Sequence, residues 1–368
     1  MEKKILNDFC FHKPKTLEEA LVLIDKYQET GLLMEGGSEV IPNMKSLVVT
    51  PDHIISLKHI PEFDYLTFTE GEGLHIGPSC ILTKVEYDPD VQRVYPSLYE
   101  GVHGMSNTNI HNISTVTGNI CYAVPSADTA APLLTLEAVL DVRSVDGTRK
   151  VPITELFAGV RRTTLKKNEI VTDIFVPQPD PRAVMVYYKN PCRKALDLAI
   201  AGVATYTVLN EEGIVEDVRI AMSAVAVVPK RAYEAEEMLK GKLLTAERIH
   251  EAATHASLHE CSPISDIRAS ADYRRELVYL SVRDGLTLAS YQRRIDPYDS
   301  DCKAPCKRRR LRAGARHQND TCRCPARPSR PDRREKELRR RRVRRVHRPA
   351  RRRRDCFVHL PCRRSRRP

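Results

Sequence analysis

Apolar residues fall at Leu17, Ala20, Leu21 and Ile24, the spacing of one helix face. Thr16 with Glu19 three residues on makes a capping box, so a helix is predicted over 16–29, closed by Gly31. Leu32-Leu33-Met34 then reads as a short strand running into a Gly36-Gly37 turn. Further strands are predicted at His53–Leu57 and Leu74–Gly77, and helices at Leu82–Glu86 and Tyr95–Ser106, the latter with Leu98 and Val102 inward. Val139–Val145 alternates at period two, Asp146-Gly147 supplies a hairpin turn and Lys150–Ile153 returns. A short helix at Glu155–Phe157 and a strand at Glu169–Val176 complete this part.

Pro177–Pro181 holds three prolines in five residues, and the domain boundary is placed there. Beyond it the pattern predicts three antiparallel strands, Ala183–Lys189, Leu198–Leu209 and Val215–Ala221. Three helices follow at Lys230–Lys240, Thr245–Leu258 and Ser270–Ser290. From about Arg294 no core periodicity survives, so 294–368 is expected to be disordered.

Charge sharpens that division. Lys303–Pro368 holds 25 Arg, 3 Lys and 5 acidic residues, a net +23, which leaves −11 for residues 1–302 of a 368-residue chain whose total is +12. An arginine tail of this kind could neutralise nucleic-acid phosphates. Its mixture of Arg, Pro, Cys and His also matches a GC-rich gene read out of frame, and that reading is preferred over nucleic-acid binding. Only Cys10, Cys80, Cys121, Cys192 and Cys261 of the 11 cysteines lie before residue 300, scattered and without a CxxC pair, so no metal site is expected. With no signal-peptide core and no membrane-length apolar run, a cytoplasmic protein with reduced thiols is expected.

The candidate chemistry gathers at two glycine-bearing stretches about 80 residues apart, Leu32–Glu39 and Thr115–Asp128. Facing each other, they could clamp a pyrophosphate between backbone N–H groups, with Ser38, Thr115 and Asn119 as side-chain donors and Asp128 accepting from a sugar-like hydroxyl. Two unrelated turns are the competing reading. Neither stretch is GxGxxG or GxxxxGK[ST], which disfavours a Rossmann or Walker site.

LLMEGGSEVIPNMK resembles the first flavin loop, A-G-G-T-D-L, of the FAD-binding subunit of molybdenum hydroxylases, the xanthine dehydrogenase and carbon monoxide dehydrogenase flavoprotein family. TVTGNICYAVPSADTAAPLLTLEAVL is similar to its second loop, usually T-[VI]-G-G-N-[IL] and then P-S-A-D. VPITELFAGVRRTTLKKNEIVTDIFVP, YYKNPCRKALDLAIAGVA and PISDIRASADYRRELVYLSVRDGLTLA match in order, so the resemblance runs from residue 5 to about 290.

The resemblance implies an α+β fold. Residues 1–177 would form a two-subdomain FAD-binding domain of the vanillyl-alcohol-oxidase (PCMH) type. Residues 182–290 would form a small α+β domain, a three-stranded antiparallel sheet plus a helical bundle, followed by the disordered Arg-rich tail. By resemblance Leu32, Leu33, Met34, Glu35, Gly36, Gly37, Ser38 and Glu39, with Thr115, Val116, Thr117, Gly118 and Asn119, bind FAD. Asp128 would hold a hydroxyl of the flavin chain, and Met105, Val171 and Lys189 would line the flavin. The implied partners are a [2Fe–2S] small subunit and a molybdopterin large subunit, with NAD or a quinone as electron acceptor. A stand-alone flavin oxidoreductase of the same fold is the alternative.

Several positions depart from the family pattern. Thr117 replaces the first glycine of the second loop, where a Cβ disfavours positive φ, so Thr117→Gly is expected to tighten FAD binding. Glu35 replaces a small residue, Glu39 an Asp, and His111 stands where Arg is common. Taken alone, Lys189 reads as a solvated lysine, Tyr187 and Tyr188 as packing residues, and Arg193-Lys194 as an exposed basic pair. Asp266, Arg268 and Arg274 read as structural ion pairs.

Overall fold

The computed structural model describes residues 6–193 and 196–292. The expectations for the tail from 294 and for Lys194 fall outside these residues. The chain opens with a three-stranded parallel sheet in the spatial order Cys10–His12, His53–Ser56, Gly31–Met34. Helix Leu17–Lys26 covers it, burying Leu17, Ala20, Leu21 and Ile24 against Ile55, Leu57, Ile60 and Phe63. Thr16 caps that helix by accepting from the Glu19 amide at 3.2 Å. The reciprocal bond to Glu19 comes from the Lys15 amide at 2.7 Å, one residue earlier than a capping box predicts. The helix ends at Lys26 with Tyr27 as its cap, and Gly31 opens the next strand, where a Cβ would stand 2.8 Å from the Tyr27 carbonyl oxygen.

A second, antiparallel sheet of five strands follows in the order Leu66–Thr69, Gly73–Ile76, Ile170–Pro177, Val139–Ser144, Gly147–Pro152. The short helices Leu82–Tyr87, Pro89–Val94 and Pro96–His103 pack together, with Leu98 and Val102 turned into a core shared with Leu74, Ile76, Leu140 and Ile174. Strands Cys10–His12 and Leu66–Thr69, and the small ribbon Phe157–Gly159 with Arg162–Thr163, are not in the periodicity-based reading.

The C-terminal sheet has four strands, Val184–Pro191, Ala199–Leu209, Val215–Ser223 and the two-residue Lys230–Arg231. The three predicted strands are therefore joined by a short edge strand, which takes the first residues of the predicted Lys230–Lys240 helix and leaves Tyr233–Leu239. Ala199–Leu209 is buried along ten of its eleven residues because both its faces are covered. Helices Ala246–Leu258 and Ala271–Gln292 form a core with one face through Ala201 and Val203, and helix Ala130–Thr135 packs on the same sheet. Tyr187, Ala204 and Ala221 thus belong to the core of the preceding sheet. The proline stretch between the two parts is anchored: Tyr206 accepts from the Asp180 amide at 3.1 Å, and Arg182 bridges Asp180 and Glu216. Asp266 pairs with Arg274 at 2.9 Å and with Arg268 at 3.6 Å, as expected of structural ion pairs. Among the described residues no helix is long and apolar enough to cross a membrane.

Candidate functional site

The parallel sheet ends where the first glycine stretch begins. Gly37 adopts φ +69°, a conformation that glycine takes without a Cβ penalty. Gly36 lies so close to the Ile113–Ser114 backbone that a Cβ would stand 1.8 Å from the Ile113 carbonyl oxygen. The two stretches therefore touch through backbone, and the Ser114 hydroxyl donates to Ser38 Oγ at 2.9 Å across the same seam. The amides of Gly36, Gly37 and Ser38 donate to no acceptor among the described residues. Three unpaired donors on one turn form a concavity suited to an anion.

The second stretch is a six-residue helix, Val116–Cys121, rather than the expected turn. Thr115 caps it by accepting from the Gly118 amide at 2.9 Å. Gly118 therefore does not take positive φ, and neither does Thr117. The reason given for Thr117→Gly fails, since a glycine inside a helix only loosens it. Asn119 accepts from the Thr129 hydroxyl at 2.6 Å through Oδ1, which turns its Nδ2 toward Met105 Sδ at 4.0 Å.

Between the two stretches lies a cavity of about 410 Å³, within the range of cofactor sites. Leu32, Leu33, Met34, Glu35, Gly36, Gly37, Ser38, Glu39, Met105, Thr115, Gly118, Asn119, Asp128 and Lys189 all line it. Val116, Thr117 and Val171 do not. Val116 points into the core from the opposite helix face, Thr117 is buried with its hydroxyl unpaired, and Val171 is a core residue of its strand. The lining also includes Ser106, Ile110, Tyr122, Ser126 and Leu196–Leu198, which the sequence reading did not assign. Tyr122 is tied to the residues just after the first stretch, its hydroxyl accepting from Asn43 Nδ2 at 2.9 Å, and no sequence signal marks a pair 79 residues apart. Cys121 is also in the wall, and burial pushes its thiol up to about 12, so it stays neutral.

One wall carries a buried charge pair. Lys189 Nζ donates to Asp128 Oδ2 at 2.8 Å and to the Gly104 carbonyl at 2.9 Å. The Tyr187 hydroxyl donates to Asp128 Oδ1 at 2.9 Å. Lys189 is thus not the solvated lysine its position suggested, with its side chain 11% exposed. Burial pushes the Asp128 carboxyl above its ordinary range, against the pull of Lys189 and Tyr187. Tyr187 packs as expected, 5% exposed. Arg193 lies on the surface against Asp197.

Glu35 stands beside the unpaired amides. Its Oε1 accepts from the Ser79 hydroxyl at 2.6 Å. Burial pushes its carboxyl up to about 7, opposed by the Ser79 hydrogen bond and by Lys58. At neutral pH this site is therefore only partly charged, which reduces its conflict with an anion on the adjoining turn.

Comparison with known proteins agrees with this architecture. Residues 7–179 match the FAD binding domain in molybdopterin dehydrogenase, and residues 186–287 match the CO dehydrogenase flavoprotein C-terminal domain. The chain is 29% identical to the nicotinate dehydrogenase FAD-subunit of Eubacterium barkeri, over 74% of this chain and 93% of that protein. It is 30% identical to the xanthine dehydrogenase FAD-binding subunit of Escherichia coli, over 74% of this chain and 92% of the other. A solved structure of carbon monoxide dehydrogenase from Hydrogenophaga pseudoflava superposes with TM-score 0.74 at 31% identity, covering 78% of this chain and 99% of that one. The chain belongs to the FAD-binding flavoprotein family of the molybdopterin dehydrogenases, the subunit type found in xanthine, nicotinate and carbon monoxide dehydrogenases.

Proposed function

We propose that the cavity between Leu32–Glu39 and Thr115–Asn119 holds the FAD, with its pyrophosphate on the Gly36, Gly37 and Ser38 amides. The observation that carries this is the set of three unpaired donors on a glycine turn, at the end of a parallel strand and opposite a capped helix. The donor set fits a diphosphate joined to an uncharged ring system. Backbone amides and the hydroxyls of Ser38 and Thr115 serve the anion, while Leu33, Met34, Met105 and Ile110 supply apolar wall. Among the described residues Asn119 Nδ2 has only the Met105 thioether as partner, and it is free to donate into the cavity. Asp128 keeps accepting capacity beyond its bonds to Tyr187 and Lys189, which suits a chain hydroxyl.

FAD supplies the exchange between one-electron and two-electron transfer, while the chain supplies binding, orientation and electrostatics. We read the chain as the electron-transfer subunit of a cytoplasmic molybdenum hydroxylase. A small partner subunit with [2Fe–2S] clusters and a large molybdopterin subunit would deliver electrons, and NAD or a quinone would remove them. The test is purification of the full chain with and without these partners. The account expects about one FAD per chain in both preparations, and partner-dependent bleaching of the flavin on adding the holoenzyme's substrate. A flavin-free chain, or flavin reduced equally well without partners, would refute it.

A further inference from the structure

One buried charged cluster lies outside the set of residues assigned to the cofactor. Glu86, on helix Leu82–Tyr87, accepts from two histidines. His103 Nδ1 lies 2.8 Å from its Oε1, and His111 Nδ1 lies 2.7 Å from its Oε2. His111 is 4% exposed, and its other nitrogen, Nε2, lies 2.6 Å from the Met105 carbonyl oxygen. A carbonyl oxygen only accepts, and so does an ionised carboxylate. The His111 ring therefore turns one nitrogen to each of two partners, Glu86 and the Met105 carbonyl. Burial works against an ionised Glu86, but the hydrogen bonds from His103 and His111 outweigh it and hold the carboxyl below its ordinary range.

The carbonyl that this pair grips belongs to a constrained segment. Gly104 is held from the other side by Lys189 Nζ at 2.9 Å. Ser106 has φ +40°, an unfavourable conformation for a residue with a Cβ. Such a conformation persists only where its surroundings over-determine it. Here two side chains, His111 and Lys189, fix successive carbonyls just ahead of it. Both Met105 and Ser106 line the cavity.

We propose that Glu86 and His111 are positioning residues of the flavin site: the buried pair grips the Met105 carbonyl and so sets the Met105 side chain against the bound cofactor. The inference rests on the reading of this cavity as the FAD site. Arginine at position 111 could serve both acceptors as well, since it offers several N–H groups with a fixed charge. Leucine serves neither. Glu86→Leu leaves His111 Nδ1 without its partner, so the ring is no longer held in the orientation that grips the Met105 carbonyl.

The test uses the FAD-loaded full chain, comparing wild type with His111→Leu, His111→Arg, Glu86→Leu, Met105→Ala and the His111→Leu/Met105→Ala double variant. FAD stoichiometry, dissociation constant and the visible circular dichroism of the bound flavin are measured. The expected result is that His111→Leu and Glu86→Leu change the flavin dichroism in the same sense as Met105→Ala and raise the dissociation constant roughly tenfold. The double variant should show no further spectral change, and His111→Arg should keep the wild-type spectrum. If His111→Leu does not fold, Glu86→Leu, His111→Arg and Met105→Ala decide the matter alone. Wild-type dichroism in Glu86→Leu, or a Met105→Ala spectrum unlike that of the pair's variants, overturns the proposal while leaving the FAD site intact. Failure of the wild type to bind FAD in this cavity overturns both.

Discussion

Glu35→Gln probes the wall of the cavity through pH. The Glu35 carboxyl moves from an ordinary value of 4.5 to about 7 on folding, mainly through burial. The folded chain therefore keeps a proton that the unfolded chain releases, and stability falls as pH rises from about 4.5 through 7, then levels off. A shift of this size corresponds to roughly 3 kcal/mol as an upper bound, at ~1.4 kcal/mol per pH unit. The glutamine variant keeps the Ser79 hydrogen bond to its amide oxygen and carries no charge, so this part of the pH dependence disappears. The assay is urea unfolding of the FAD-free chain at pH 5 and pH 8. The wild type should lose more stability between these values than Glu35→Gln, by about 2–3 kcal/mol. FAD affinity should follow the same direction, weakening with pH in the wild type as a carboxylate forms beside the pyrophosphate and staying flat in the variant. Equal pH dependence in the two proteins would refute the reasoning, because it would place the titrating group elsewhere.

Other consequences can be measured directly. Gly36→Ala places a Cβ 1.8 Å from the Ile113 carbonyl oxygen; the two stretches must separate, and the account expects a loss of about 1–3 kcal/mol in unfolding free energy together with loss of FAD on gel filtration. Asp128→Asn leaves Lys189, 11% exposed, without its carboxylate, and breaking such a pair costs about 3–5 kcal/mol, read as a lowered urea midpoint. Thr115→Ala removes the cap bond to the Gly118 amide and should cost about 1 kcal/mol, a fall of a few degrees in melting temperature.

Much of the scaffold was legible because local signals agreed with tertiary packing. Leu17, Ala20, Leu21 and Ile24 fall on one helix face behind Thr16, and the fold buries all four. Thr245 likewise caps its helix where the pattern placed a start. Cys10–His12 is too short to show a period, and it is a strand because His53–Ser56 offers it an edge. Lys230–Arg231 is an edge strand for the same reason, pairing with Ala221 and Met222. Within the site, glycine content at 115–119 suggested a turn, whereas Thr115 capping made a helix and redirected Val116 and Thr117 away from the cavity. The pairs that organise the walls were not legible. Asp128 meets Lys189 across 61 residues and Glu86 meets His111 across 25, and no local pattern encodes either meeting. Lys189 and Glu86 look like ordinary surface charges until the fold buries them.

The most direct measurement is a crystal structure of the full chain soaked with FAD. The account predicts difference density running through the cavity, with pyrophosphate oxygens within about 3 Å of the Gly36, Gly37 and Ser38 amides and apolar wall at Leu33 and Met105. Density for the pyrophosphate on any other surface, with those three amides still unpaired, would contradict it.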